Sequence, residues 1–242
     1  MQDIPYYVLS ALAVLLTLTI HEYAHAYAAY KMGDPTAKNL GRLTLNPIKH
    51  LDPIGALCML IFHFGWAKPV PINPRNFKNP RRGFAISALA GPAINLVISF
   101  FSAFIYLLLF SIFSKMIFNA ELWLSFEENI VLFFYLLHII NLGIAIFNLI
   151  PIPPLDGSRL LGLILPPKQY FAIIRHERTI YYILLGWLLV GDTLAKIILA
   201  LPGASGSLIL KIFANVISLS NLLGLAIEEL SGLMTNFWLL FI

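Results

Sequence analysis

The chain has 242 residues, of which 59% are hydrophobic and only 12% charged, with a net charge of +4. A soluble domain carries about 25% charged residues, so this deficit excludes an ordinary soluble fold and points to a bilayer. The single cysteine, Cys58, excludes an intramolecular disulfide and a cysteine-based zinc site, and no basic block interleaved with aromatics suggests a nucleic-acid partner.

About 20 apolar residues suffice to cross a membrane. Residues 4–30 form the first such run, and Glu22 is its only formally charged side chain. The preceding Met1-Gln2-Asp3 lacks the basic residues of a secretory signal, so this run is expected to be retained. Within it lies His21-Glu22-Tyr23-Ala24-His25. Histidines at i and i+4 share a helix face and can grip one metal ion. The composition allows about 0.004 chance occurrences of H-E-x-x-H. A carboxylate and two imidazoles are costly in hydrocarbon, which makes a function the default reading. The alternative is a pair of histidines facing a polar cavity.

The linker 31–82 carries Lys31, Lys38, Arg42, Lys49, Lys68, Arg75, Lys78, Arg81 and Arg82 against Asp34 and Asp52. Inside it, Pro53 to Ala67 is uncharged but too short to cross, which fits a re-entrant hairpin or interfacial strand. Next comes Trp66-Ala67-Lys68-Pro69-Val70-Pro71-Ile72-Asn73, whose alternating prolines allow only an extended edge segment or a surface loop. A second span is expected at 83–114 and a third at 129–155. A fourth, at about 179–200, contains Asp192 and Lys196 at pairing distance on one face. A fifth is placed at about 206–227, and the tail 230–242 is too short to span. The fold class is therefore an all-α polytopic membrane protein with a small β-hairpin or edge-strand region between its first two spans.

Lysine and arginine mark the cytoplasmic side. By that rule the N-terminus is outside, linkers 31–82 and 156–178 are inside, and linker 115–128, with Glu121, Glu127 and Glu128, is outside. His21 and His25 then lie near the cytoplasmic end of the first span. The third span runs inward and delivers Asp156 to the same depth.

A catalytic zinc takes three protein ligands and leaves one position open. His21 and His25 supply two, and Asp156 is the best third, in a Pro151-Ile152-Pro153-Pro154-Leu155-Asp156-Gly157 stretch that breaks the helix. Glu22 is the natural general base, taking a proton from zinc-bound water as it attacks a carbonyl. Asn148 is a candidate for orienting substrate or stabilising an oxyanion, against a plain hydrogen bond within the bundle. Asn95 has the same two readings, with the structural one favoured. Gly91 and Pro92 allow close helix approach or a local opening. His50 is read as shaping its loop, and His63, His138 and His176 as structural.

Taken together, His21 to His25, Gly41-Arg42-Leu43-Thr44-Leu45-Asn46-Pro47, Gly65 to Pro71 and Asn148 to Gly157 resemble the site-2 proteases, the intramembrane zinc metalloproteases of the M50 class. The resemblance implies a three-helix catalytic core over residues 1–160 and C-terminal membrane helices and tail over 161–242. It implies one zinc ion held by His21, His25 and Asp156, with Glu22 catalytic. It makes Asn148 a substrate-holding asparagine and the segment with Lys68, Val70 and Ile72 an edge strand that accepts substrate. The implied partners are a transmembrane protein or peptide substrate and the lipid bilayer of a prokaryotic inner membrane; no oligomeric state is implied. PDZ or CBS domains carried by many relatives are not recognised here. The rival readings are a peptidase of signal-peptide remnants or membrane quality control, and a non-proteolytic ion-conducting or partner-binding protein.

Overall fold

The computed structural model describes residues 3–55, 67–115, 121–200 and 218–242. These residues form α1 (Asp3–Lys31), α2 (Thr36–Asn39), α3 (Pro80–Phe113), α4 (Glu121–Leu149), α5 (Gly157–Ile164), α6 (Pro167–Ile174), α7 (Glu177–Ala200) and α8 (Leu219–Leu239). Among the described residues, three helical segments are long and apolar enough to cross a membrane: Ile4–Lys31, Pro80–Phe113 and Phe126–Leu149. They match the three core spans, and α1, α3 and α4 pack mutually. The third helix stops at Leu149, short of the expected 155, because Pro151, Pro153 and Pro154 cannot continue its hydrogen bonding.

Two expectations are corrected. First, the C-terminal helices are not supported as membrane spans. Helix α7 carries Glu177, Arg178, Asp192 and Lys196, and α8 carries Glu228 and Glu229 besides several polar side chains. The expected fifth span, 206–227, falls largely outside the described residues; the helix found nearby is Leu219–Leu239. Its last turns pack on α3, where Trp238 packs at a tilt against Phe100 and Phe104 and donates from Nε1 to the Phe100 carbonyl at 2.9 Å. Second, no sheet is present among the described residues. Most of Pro53–Ala67 lies outside them. One antiparallel bridge joins Leu51 to Ala67, the Lys68 N–H bonds the His50 carbonyl beside it, and residues 69–73 run on without a further bridge rather than as a strand. Prolines 69 and 71 supply no N–H, so this segment can be paired along one edge only and cannot sit inside a sheet.

The spans are built inside-out relative to a soluble helix. The buried face of α3 is Ala85, Ser87, Ala88, Gly91, Asn95, Ser99, Ser102 and Ala103, whereas Val97, Phe101 and Phe110 point outward. Small residues let helix backbones approach closely, and that contact substitutes for hydrophobic burial where lipid is the solvent. Polar side chains then bridge the helices. Asn141 Nδ2 donates to Thr17 Oγ1 at 2.8 Å, joining α4 to α1. His138 sits 2.8 Å from both Ser99 Oγ and Ser231 Oγ, joining α4 to α3 and α8. The connections repeat one start signal. Asn46, Asn73 and Asn79 each precede a proline and each accept a backbone N–H with the side chain, from Ile48, Arg75 and Arg82 respectively.

Candidate metal centre

The i, i+4 spacing puts His21 and His25 one above the other on the face of α1 that meets α3. Both are buried. Asp156 follows the proline turn after α4 and leads into α5. Helix α5 packs on α3, and Arg159 ties it to α7 through Glu177 at 2.6 Å. The turn is tight. A Cβ on Gly157 would collide with the Leu149 carbonyl oxygen and lie 2.7 Å from that of Ile150, so only glycine lets the chain fold back here.

Three ligand atoms converge at this junction. The Nε2 atoms of His21 and His25 are 3.0 Å apart, and each lies 3.2 Å from Asp156 Oδ2. Zinc–nitrogen and zinc–oxygen bonds of about 2.0–2.1 Å at tetrahedral angles put neighbouring ligands about 3.3 Å apart. The cluster is thus already at the spacing of a metal site. His25 Nδ1 donates to the Ser87 carbonyl at 2.8 Å, so its Nε2 presents a lone pair. His21 Nδ1 lies 3.0 Å from the carboxamide of Asn95, which is fully buried with Oδ1 unpartnered. A half-turn of that amide brings Oδ1 onto Nδ1–H and leaves the second Nε2 lone pair facing the same point. Asp156 Oδ2 is also buried without a hydrogen-bond partner. Three acceptors aimed at one another call for a cation. Space for it depends on Gly91: a Cβ there would collide with His25 Nε2 and sit 2.6 Å from Cε1 of both His21 and His25.

This donor set, on apolar helices, agrees with what comparison with known proteins finds. A family profile described as Peptidase family M50 matches residues 9–190. The chain belongs to peptidase family M50. YwhC of Bacillus subtilis, whose name marks it as a candidate zinc metalloprotease, is 44% identical over 67% of this chain and 70% of its own length. Rip2 of Mycolicibacterium smegmatis, also named a candidate zinc metalloprotease, is 31% identical over 66% of this chain. MJ0392 of Methanocaldococcus jannaschii, named a zinc metalloprotease, is 29% identical over 64%. The matches cover 58% of the second relative and 34% of the third. No solved structure matches significantly. This M50 peptidase is an integral membrane zinc metalloprotease, and His21, His25 and Asp156 form a cluster that can hold the ion.

The remaining expected site residues fall in different places. Glu22 is buried beside the cluster, and its Oε2 accepts the Val70 backbone N–H at 2.8 Å. Lys68 has an exposed side chain, and its backbone N–H donates to the His50 carbonyl at 2.8 Å. Ile72 is half-buried. Asn148 donates to the Ile144 carbonyl one turn back in its own helix. His50 holds its own loop, with Nε2 2.7 Å from the Thr44 carbonyl oxygen.

Two anchors were not singled out from sequence. Arg42 is buried and donates to the carbonyls of Lys68 at 2.6 Å and Pro69 at 3.3 Å. Asp34, fully buried, accepts from the backbone N–H groups of Thr36 and Asn73 and from Asn76 Nδ2. Burial raises its pKa, but hydrogen bonds from Thr36, Asn76 and Asn73 outweigh that and hold it below its ordinary 3.8. Asp34-Pro35-Thr36 carried a legible turn signal, since aspartate accepts from the N–H two residues on. Nothing local announces that the same carboxylate reaches residues 73–76.

Proposed function

We propose that this M50 peptidase cleaves transmembrane segments of other membrane proteins, as in regulated intramembrane proteolysis, with its centre toward the cytoplasmic side of a prokaryotic inner membrane. The observation that carries this reading is the convergence of His21, His25 and Asp156 at 3.0–3.2 Å between apolar helices, with Glu22 alongside. Bound zinc supplies a Lewis acid that acidifies water and polarises a peptide carbonyl.

In this reading His21 and His25 are ligands from α1, and Asp156 is the ligand from the turn after α4. Asn95 and the Ser87 carbonyl hold the two imidazole rings in the ligating tautomer. Glu22 takes the proton of the attacking water and gives it to the departing amine. Asn148 holds substrate by exchanging its bond to Ile144 for one to the peptide. Segment 68–73 receives the peptide in extended form, which exposes a scissile bond that a helix would shield. Residues 1–160 are the catalytic core, and 161–242 brace it through α5 and α8.

The test uses purified protein in lipid bilayers with a synthetic leucine-rich transmembrane peptide of about 20 residues. Glu22→Gln is expected to keep one zinc per chain and lose cleavage by at least about 100-fold. His21→Ala, His25→Ala and Asp156→Ala are expected to lose zinc. Unchanged cleavage by the zinc-loaded Glu22→Gln variant would refute the assignment of the base.

A further inference from the structure

Segment 68–73 has few backbone donors. Pro69 and Pro71 have none, which leaves the N–H groups of Lys68, Val70, Ile72 and Asn73. Lys68 spends its N–H on the His50 carbonyl, and Asn73 spends its own on Asp34 Oδ2 at 2.7 Å. The prolines also hold Lys68 and Val70 in the extended region, because a residue before proline is barred from the helical one. Val70 and Ile72, two apart, therefore share one edge. Ile72 N–H meets no acceptor among the described residues, whereas Val70 N–H donates to Glu22 Oε2 at 2.8 Å. The segment is clamped at both ends, by Arg42 on the Lys68 and Pro69 carbonyls and by Asp34 on Asn73. Its middle rests on the carboxylate.

An unpaired edge beside a peptidase centre is a template for strand pairing. Any peptide that pairs along this edge needs the Val70 N–H, and Glu22 already holds it. We infer that the Val70 N–H is a shared donor: it caps Glu22 until an extended substrate strand arrives, and is then passed to a substrate carbonyl, which frees the carboxylate beside the peptide just captured. One oxygen of the base thereby loses its donor, and becomes the better proton acceptor, when a peptide is in register. No covalent bond changes; one hydrogen bond is exchanged for another of the same donor. The clamps at Arg42 and Asp34 keep the edge in place during the exchange.

This inference rests on the reading of Glu22 as the base and is tested separately from it. The protein is zinc-loaded, labelled with 15N-valine and held in bilayers, and hydrogen exchange is read at the Val70 amide by NMR. In the unsubstituted protein this amide is protected. In Glu22→Ala it exchanges about tenfold faster or more, because its acceptor is gone. In Glu22→Gln protection remains, since the carboxamide oxygen still accepts. Saturating Glu22→Ala with the leucine-rich transmembrane peptide restores protection, as a substrate carbonyl replaces the carboxylate. Protection that survives Glu22→Ala without peptide, or fast exchange that persists with peptide bound, overturns the exchange. Cleavage of the peptide by Glu22→Ala would instead overturn the base assignment. A second arm uses Val70→Pro, which removes the N–H, beside Val70→Ala, which keeps it. With zinc content equal, kcat/KM on the peptide is expected to fall about tenfold further for the proline variant than for the alanine variant, which shortens the side chain but keeps the N–H. Equal losses in both would overturn the role of the N–H.

Discussion

Gly91→Ala adds one methyl group, and the structure places it between His21 and His25, the two proposed histidine ligands. The new Cβ would lie 2.6 Å from Cε1 of His21 and of His25, and closer still to His25 Nε2. Carbon atoms rest at about 3.5–4.0 Å, so both rings must retreat by roughly 1 Å. Zinc–ligand distances tolerate only about 0.2 Å, so the rings cannot retreat and still ligate together. The alternative is for α1 and α3 to separate, at an overpacking cost of about 1–3 kcal/mol. Alanine gains up to about 1 kcal/mol over glycine inside a helix, which does not offset either route. Displaced partners behind a ligand typically weaken metal binding 10–100-fold, and a displaced ligand exceeds that, so the expected loss of zinc affinity is at least about 100-fold. The assay is zinc content after dialysis against buffered free zinc, with helical circular dichroism to confirm folding. Gly232→Ala in α8 is the control, because a Cβ there meets nothing within 4 Å. It should leave zinc unchanged. Full zinc occupancy and unchanged cleavage by Gly91→Ala would refute the geometry of the site.

Other expectations follow from the same neighbourhood. Asn95→Leu should orphan His21 Nδ1 and lower zinc affinity about 10–100-fold, whereas Asn95→Asp, which keeps an acceptor, should retain most of it; competition with a chelator reads both. Gly157→Ala should displace Asp156, because its methyl group meets the Leu149 carbonyl, and zinc content should fall with it. Asp34 has a folded pKa held below 3.8. Its contribution to anchoring residues 73–76 is therefore fully present above that value and is lost as pH falls through the folded pKa. Acid-stable protease digestion near Asn76 should accelerate below about pH 3.8 and not at pH 6; Asp34→Asn should raise cleavage at both.

The centre was legible to the extent that its chemistry is local or is carried by strong punctuation. His21, Glu22 and His25 are one helix turn, and Asp156 stands at a proline break whose depth follows from charge placement. What surrounds them was not legible in the same way. Gly91 reads as any small residue in a membrane helix until α3 is laid on α1. The Ser87 carbonyl has no sequence signature at all, and Asn95 reads as a substrate contact or, by preference, a bundle contact until it is found behind His21. Asp34 and Arg42 look like ordinary linker charges, because their partners lie 26 to 42 residues away along the chain. The C-terminal half misled for another reason. Apolar runs of adequate length were counted as spans at about 179–200 and 206–227, and among the described residues only the three core helices stand as crossing segments. Helix α8 packs aromatic rings on α3.

The ownership of the ligands also orders events during synthesis. Two come from α1, and the third comes from beyond α4, much later in the chain. No segment shorter than residues 21–156 contains all three. Two histidines alone do not make a three-ligand catalytic zinc site. A nascent chain extended only to the end of α1 therefore displays a complete H-E-x-x-H yet has no finished three-ligand cluster. On the proposed ligand set, proteolytic competence arrives with the turn that follows α4, when α1, α3 and α4 are all present to surround it.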